Sequence, residues 1–107
     1  MISFQEFQKV EIKVGRVLAV EDHPNADKLM VIRVDVGEES PRVLVAGLKD
    51  YYAPEELADR LIVVVTNLEP ARLRGVESQG MLLAAQEGEK VVFLTLDKEI
   101  APGSPVL

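Results

Sequence analysis

The sequence predicts an all-β protein: a five-stranded Greek-key barrel with a short helix between the third and fourth strands, an N-terminal helix and extra C-terminal strands. Apolar and polar residues alternate with a period of two in several short runs, which is typical of strands with one buried face. Clusters of Gly, Pro, Asn and Asp separate these runs, and only two short segments carry helix-start signals. With 107 residues, of which 48% are hydrophobic and 28% charged, the chain is expected to form a single domain spanning residues 1–107.

The N-terminal half is predicted to contain one helix and three strands. Ser3 and Glu6 have the spacing of a capping box, and Phe4, Phe7 and Val10 follow at helical spacing. The alternating segments predict strands over Ile12–Val20, Lys28–Val36 and Arg42–Ala46. Gly15 predicts a bulge or a sharp bend in the first of these strands.

The C-terminal half begins with a short helix that Pro54 opens at its first turn. Further strands are predicted over Leu61–Thr66, Gln79–Ala85 and Lys90–Leu96, with a loop over Asn67–Ser78 and a turn at Pro102–Gly103. Three strands, a short helix and two more strands is the element order of the OB-fold, a partly open Greek-key barrel. A small SH3-like barrel or another roll of similar strand number would give the same pattern.

Composition excludes several chemistries. The chain has no cysteine, so it can form no disulfide, no thiolate zinc site and no cysteine nucleophile. Its one histidine, His23, lacks any paired metal-ligand spacing, and the GxSxG, GxxxxGK[ST] and GxGxxG motifs are all missing. Paired acidic residues are best explained as solvated faces. We therefore expect no enzyme activity, no metal and no cofactor.

Location and partner class follow from hydropathy and charge. The longest aliphatic run, Leu61–Val65, is far too short for a membrane helix, and the first residues show neither a basic flank nor an apolar stretch. A cytoplasmic protein with no membrane partner is expected. The net charge of −6 argues against a nucleic-acid partner for the chain as a whole, so the placement of the basic residues decides the question.

An OB-fold binds ligands on the face of its second and third strands and on two flanking loops. Five basic residues are predicted to lie on or beside that face: Lys28, Arg33, Arg42, Arg72 and Arg74. Asn67, Ser78 and Gln79 add neutral hydrogen-bonding groups suited to phosphate or ribose. No aromatic residue falls clearly on this face, which favours recognition of folded RNA by its shape over stacking of single-stranded bases.

Structural explanations stay open for the same residues. Arg72 and Arg74 could be solvated charges on a polar loop, and Asn67 could be a turn-former that binds its own backbone. A methionine such as Met81 on a strand usually belongs to a core, and a histidine before proline, as at His23, is usually a turn residue.

Four segments carry a resemblance to a known family: His23–Leu29, Val34–Gly37, Val45–Leu48 and, above all, Thr66–Met81. They resemble the tRNA-binding OB domain family. This family includes the C-terminal domain of methionyl-tRNA synthetases, free-standing structure-specific tRNA-binding proteins and EMAP-II-like domains. The resemblance extends from Ile12 to Leu107, and the long ordered run ending at Met81 makes it specific.

The resemblance implies an OB-fold with strands beyond the five, and free-standing homodimers that bind tRNA by shape. It implies RNA contacts at the matching motif positions, which are Lys28, Asn67, Arg72, Arg74, Ser78 and Met81. Glu69 and Ala71 replace residues that are basic in many members, and Ala46 replaces a serine. The function expected is non-catalytic tRNA binding, as a homodimer or as a detached subunit assisting methionyl-tRNA synthetase. The alternative is a CsaA-like chaperone or protein-assembly module.

Overall fold

The structure is a computed structural model that describes residues 1–107, and it is mostly β, as predicted. It contains two one-turn helices, Phe4–Phe7 (α1) and Pro54–Leu57 (α2). The nine strands are Ile12–Asp22 (β1), Met30–Asp35 (β2), Arg42–Ala46 (β3), Leu61–Val65 (β4), Ala71–Leu73 (β5), Val76–Ser78 (β6), Met81–Leu82 (β7), Ala84–Glu87 (β8) and Lys90–Phe93 (β9).

The principal sheet has five antiparallel strands in the order β3-β2-β1-β4-β7. Its central strand, β1, pairs with β4 through its first half and with β2 through its second half. A side chain at Gly15 would bring its Cβ to 2.5 Å from Cγ2 of Val34. Glycine at this position therefore lets the two strands approach closely where β1 curves around the barrel.

The two edges of this sheet meet and nearly close the barrel. Just before β7, the backbone N–H of Gln79 donates to the carbonyl of Val43 on β3 at 2.8 Å. This contact joins the end of the sheet that carries β7 to the end that carries β3. The resulting barrel has the strand connections of the OB-fold, which confirms the predicted fold class.

The C-terminal strands extend this barrel, as predicted. β8 and β9 form a separate antiparallel hairpin. Beyond it, residues 103–106 run along the first half of β1: the Val14 N–H donates to the Ser104 carbonyl at 2.9 Å, and the Val106 N–H donates to the Ile12 carbonyl at 2.8 Å. β1 is therefore hydrogen-bonded along both of its edges.

The core lies inside the barrel and consists of inward-facing aliphatic residues. Ile32, Leu44 and Ile62 are fully buried, and Leu57 brings α2 into the same cluster. The predicted capping box of α1 is confirmed, with Glu6 N–H donating to Ser3 Oγ at 3.1 Å, but α1 buries none of its residues. Neither helix has the length or the apolar character needed to cross a bilayer.

Three details differ from the sequence-based expectation. The irregularity in β1 lies between Val17 and Ala19, and Gly15 keeps regular register with β4. The segment predicted as a loop over Asn67–Ser78 contains the β5–β6 hairpin. The single fifth strand predicted over Gln79–Ala85 is divided into β7 and the start of β8, because Leu83 turns its backbone N–H to Val63 and its carbonyl to Leu94.

Candidate nucleic-acid interface

The loop between β1 and β2 and the β5–β6 hairpin lie side by side, although about 50 residues separate them in the chain. Between them is a cleft of about 360 Å³. It is lined by Ala26, Asp27, Lys28 and Leu29 from the loop and by Arg74 from the hairpin. The structure thus brings together two of the basic residues that the sequence analysis selected.

Arg74 occupies the tip of the β5–β6 hairpin. Leu73 and Val76 are paired, so Arg74 and Gly75 are the two residues of the turn, with φ values of 54° and 91°. Positive φ at both central residues is the pattern of a type I′ turn, which matches the twist of the strands it connects. Arginine is an uncommon residue in this left-handed conformation, where Asn and Gly are preferred. The Arg74 side chain at this tip is exposed.

Four of the predicted basic residues are exposed and have no internal partner. No ion pair or side-chain hydrogen bond in the structure involves any of them. They are Lys28, Arg33, Arg72 and Arg74. Arg33 pairs with Ala19 of β1 and Val43 of β3, and it is the exposed residue between buried neighbours on β2, so it lies on the outer face of the barrel. Such unpaired cations are available to phosphate groups.

Arg42, the fifth basic residue, is held within the chain. Its guanidinium donates to both carboxylate oxygens of Glu38, at 2.8 and 2.7 Å, and also to the carbonyls of Thr66 and Gln79. The hydrogen bond from Arg42 lowers the pKa of Glu38, and the same bond raises the pKa of Arg42. Arg42 therefore links β3 to the segments that border the β5–β6 hairpin.

The Asn67 side chain also has partners at both ends. Its Nδ2 donates to the carbonyl of Lys9 at 2.6 Å, and its Oδ1 accepts from the backbone N–H of Glu11 at 2.8 Å. These bonds continue the contact between the end of β4 and the start of β1, where Thr66 N–H donates to the Glu11 carbonyl. Asn67 thus ties the segment after α1 to the base of the hairpin.

Ser78 and Gln79 close the barrel with their side chains. Ser78 is buried, and its Oγ accepts from the Val45 N–H at 3.0 Å and donates to the Gly80 carbonyl at 2.9 Å. Gln79 Oε1 accepts from the Val43 N–H at 2.8 Å. Both side chains therefore satisfy the outer edge of β3, which would otherwise expose unpaired backbone groups.

Met81 lies apart from the cationic cleft. Its side chain is 48% exposed and borders an apolar groove of about 400 Å³ that Val45, Leu48, Tyr51 and Val91 also line. The predicted site residues consequently divide into three groups: the four free cations, the four residues that hold the fold around the hairpin, and Met81 at a separate groove. No cluster of three or more potential metal ligands is present.

Sequence reasoning missed one residue of this region. His23, predicted as a turn residue, does bind the turn through the N–H of Asn25, and its side chain is in addition 6% exposed and contacts the hairpin at Leu73, 50 positions away. Only the resemblance of the segment His23–Leu29 to a known family marked it out, and no local pattern predicts a partner so distant in sequence.

Comparison with known proteins gives relatives across the whole chain. It is 60% identical over 105 residues to a methionine–tRNA ligase of Pyrococcus furiosus, a match that covers 98% of this chain and 14% of that protein. The chain thus spans about one-seventh of the length of such curated relatives. Among solved structures, it is similar to a MetRS-related protein of Pyrococcus horikoshii, with a TM-score of 0.93, 36% identity and coverage of 100% and 98% of the two chains.

A second solved structure, described as the chaperone CsaA of Bacillus anthracis, matches with a TM-score of 0.89 and 28% identity over 100% of this chain and 99% of that one. A family model described as "Putative tRNA binding domain" matches residues 12–105. Because this match covers nearly the entire chain, the protein belongs to that tRNA-binding domain family.

Proposed function

We propose that this protein is a non-catalytic tRNA-binding module whose ligand contacts the β1–β2 loop and the β5–β6 hairpin. The observation that carries the proposal is the pair of unpartnered cations, Lys28 and Arg74, on one cleft. Arg72 on β5 and Arg33 on β2 are further free cations for phosphate contacts. A tRNA ligand also implies a cytoplasmic location.

The remaining predicted residues have a supporting role in this proposal. Arg42, Asn67, Ser78 and Gln79 use their side chains on internal partners, so they hold the hairpin and its base in place. An RNA contact made by one of them would have to use a lone pair or proton left over from these bonds. We therefore assign most of the binding energy to the four free cations.

The arrangement suits recognition of RNA by shape. No aromatic ring lines the cleft of Lys28 and Arg74, and Tyr52 packs edge-on against Phe93 with ring centroids 5.0 Å apart. Without rings to stack bases, the contacts available are to phosphate and ribose, whose positions depend on the fold of the RNA.

A homodimer is part of the proposal. Phe4, Phe7 and Val10 are 72%, 40% and 42% exposed, and α1 buries none of its residues, so this apolar stripe needs a cover. Pairing two copies would also present two cationic clefts to one RNA and increase avidity. Light scattering at tens of micromolar is expected to give twice the mass of the chain; a Phe4→Ser/Phe7→Ser variant is expected to give the mass of one.

The working partner in the proposal is methionyl-tRNA synthetase. The similarity to one-seventh of a methionine–tRNA ligase supports a role as a detached subunit of such an enzyme. Adding the purified protein to a methionine–tRNA ligase that lacks this segment is expected to lower the KM for tRNA. An unchanged KM would restrict the function to binding tRNA alone.

A chaperone function is the second candidate, because the apolar groove beside Met81 and the similarity to a protein described as the chaperone CsaA both favour it. One assay separates the two candidates. Fluorescence anisotropy is measured with labelled mixed tRNA and, in parallel, with a labelled unfolded client protein. Binding of tRNA alone supports the first candidate, and binding of the client alone supports the second.

Variants connect the result to the site. Arg72→Ala/Arg74→Ala is expected to weaken tRNA binding while leaving the thermal unfolding curve nearly unchanged, since neither side chain has an internal partner. Lys98→Ala is the matched control, because Lys98 is an exposed cation on a different cleft, which Arg16 and Glu99 line. Equal affinity of the double variant and the control would remove the hairpin from the binding site.

A further inference from the structure

We propose that His23 is the positioning residue of the RNA site: it holds the tip of the β5–β6 hairpin against the β1–β2 loop, so that Arg74 and Lys28 face the same cleft. The part of this inference that concerns RNA rests on the proposed function above. The part that concerns the hairpin rests on the hydrogen bonds of the imidazole ring alone.

His23 makes three hydrogen bonds with three different partners. Its ring Nε2 lies 2.9 Å from the carbonyl oxygen of Leu73, and its ring Nδ1 lies 2.9 Å from the backbone nitrogen of Asn25. Its backbone N–H donates to the carbonyl of Leu29 at 3.1 Å, which closes the base of the β1–β2 loop. One buried residue therefore shapes this loop and attaches it to the hairpin.

The two ring contacts determine the form of the imidazole. A backbone N–H can only donate, so Nδ1 must offer its lone pair to Asn25. A carbonyl oxygen can only accept, so Nε2 must carry the proton that it donates to Leu73. The geometry thus requires the neutral ring with its proton on Nε2, since a second proton on Nδ1 would face another donor.

The outer part of the hairpin has no other hydrogen bond to the rest of the chain. β6 packs against β3, and the bonds of Ser78 and Gln79 attach the base of the hairpin, but residues 72–77 are bonded to residues outside the hairpin only through Leu73. Every residue of β5 is exposed. The attached carbonyl belongs to Leu73, directly before Arg74, so the bond restrains the tip itself.

The restraint acts on two cations that share one cleft. Lys28 and Arg74 carry the same charge, and Asp27, which lines the cleft too, carries the opposite one. A fixed hairpin keeps both cations oriented before RNA arrives, which reduces the entropy lost on binding.

Two substitutions separate the ring's two bonds. In His23→Asn, the amide oxygen can still accept from Asn25, but the side chain is too short to reach Leu73. In His23→Gln, the amide nitrogen can reach the Leu73 carbonyl, while the acceptor for Asn25 is lost. Both variants lose the buried ring and each keeps one of its two bonds, so faster exchange of the hairpin in His23→Asn than in His23→Gln reports the bond to Leu73.

Amide hydrogen exchange of residues 71–78 and anisotropy with mixed tRNA are measured on wild type and both variants. We expect His23→Asn to exchange about threefold to tenfold faster in the hairpin, the range for one neutral hydrogen bond, and to bind tRNA more weakly by a similar factor. His23→Gln should stay within about twofold of wild type in both measurements, below the range expected for loss of the bond.

Each other result overturns a stated part of the inference. Hairpin exchange that is the same in His23→Asn and wild type refutes the attachment, whatever the RNA result. Faster exchange with unchanged tRNA affinity refutes the positioning role. If wild type itself does not bind tRNA, the proposed function fails. The exchange data then still test whether His23 attaches the hairpin to the loop. Should His23→Asn not fold, the ring nitrogens of wild-type His23 in a long-range ¹H–¹⁵N spectrum decide: a proton on Nε2 supports the attachment, and an Nε2 without a proton refutes it.

Discussion

Replacing Arg74 by asparagine is expected to make the protein more stable and to weaken its binding of tRNA. Arg74 has φ of 54° in a two-residue turn whose other member is Gly75. Asparagine adopts this conformation several-fold more readily than most residues, a preference of about 0.5–1 kcal/mol. Since about 1 kcal/mol moves Tm by about 4–8 °C in a domain of this size, Arg74→Asn should raise Tm by about 2–8 °C.

The expected effect on binding has the opposite sign. The Arg74 guanidinium has no partner in the free protein, so its whole hydrogen-bonding capacity is available to RNA. A hydrogen bond to a charged group contributes roughly 1.5–3 kcal/mol, so the Kd for tRNA should rise roughly 10- to 150-fold. Arg74→Lys keeps the charge but loses the planar fork, and is expected to bind with intermediate affinity and to leave Tm unchanged.

Differential scanning calorimetry measures the expected rise in Tm, and fluorescence anisotropy on the same preparations measures the expected loss of tRNA affinity. Arg72→Asn is the matched control: it makes the same substitution two residues earlier, on β5, where φ is not positive. The control is expected to lose affinity without gaining stability. A lower Tm together with weaker binding in Arg74→Asn would show that the arginine stabilises the hairpin, and the conformational argument would be refuted.

Further outcomes concern the barrel closure, the ion pair and the salt dependence of binding. Ser78→Ala leaves the buried Val45 N–H without its acceptor, so chemical denaturation should show a loss of about 1–3 kcal/mol. The hydrogen bond from Arg42 lowers the pKa of Glu38 in the folded protein. Ionised Glu38 therefore stabilises the fold at pH values above its unfolded pKa of about 4.3, and this stabilisation is lost as the pH falls through the pKa of the folded state. The Tm difference between wild type and Glu38→Gln should therefore be present at pH 7 and become smaller as the pH falls below about 4.3; a difference independent of pH would contradict this. Four free cations per protomer should give a slope of log K against log salt of about −3 to −4, and a slope near zero would exclude phosphate contacts.

The barrel could be predicted from the sequence because its strands carry their own signal. In β2, Met30, Ile32 and Val34 alternate with Val31 and Arg33, and the alternating set is the one the core buries completely. The two-residue alternation of apolar residues and the Gly and Pro residues that separate the strands are both local properties, so they can be read from a single sequence. The same holds for the capping box of α1.

The β5–β6 hairpin lacked such a signal. Its strands are three residues long and every residue of β5 is exposed, so no apolar alternation marks them. Its turn is Arg74-Gly75, where the usual signature is Asn-Gly or Asp-Gly. A segment of this kind is indistinguishable from a loop until its neighbours are known.

The roles of the polar site residues were hidden for a related reason. Asn67 binds residues 56 and 58 positions away, and Gln79 binds one 36 positions away. Residue type indicates that a side chain can form a hydrogen bond, but the choice between an internal backbone group and an RNA phosphate depends on tertiary distance. The exposed arginines could be predicted as candidates for phosphate binding because their role depends on no internal partner, so residue type and a loop or strand position were enough to select them.

The pairing of residues 103–106 with the first half of β1 has a consequence for biosynthesis. About 90 residues separate Lys13 from Pro105, the two members of that bridge. At translation rates of about 5–20 residues per second, β1 waits roughly 5–18 s for this partner. During that interval the nascent chain exposes an unpaired strand edge, the kind of surface on which other chains add and aggregate. Mutations near Pro102–Ser104 should therefore reduce the yield of folded protein in cells more than they reduce the stability of the molecules that do fold.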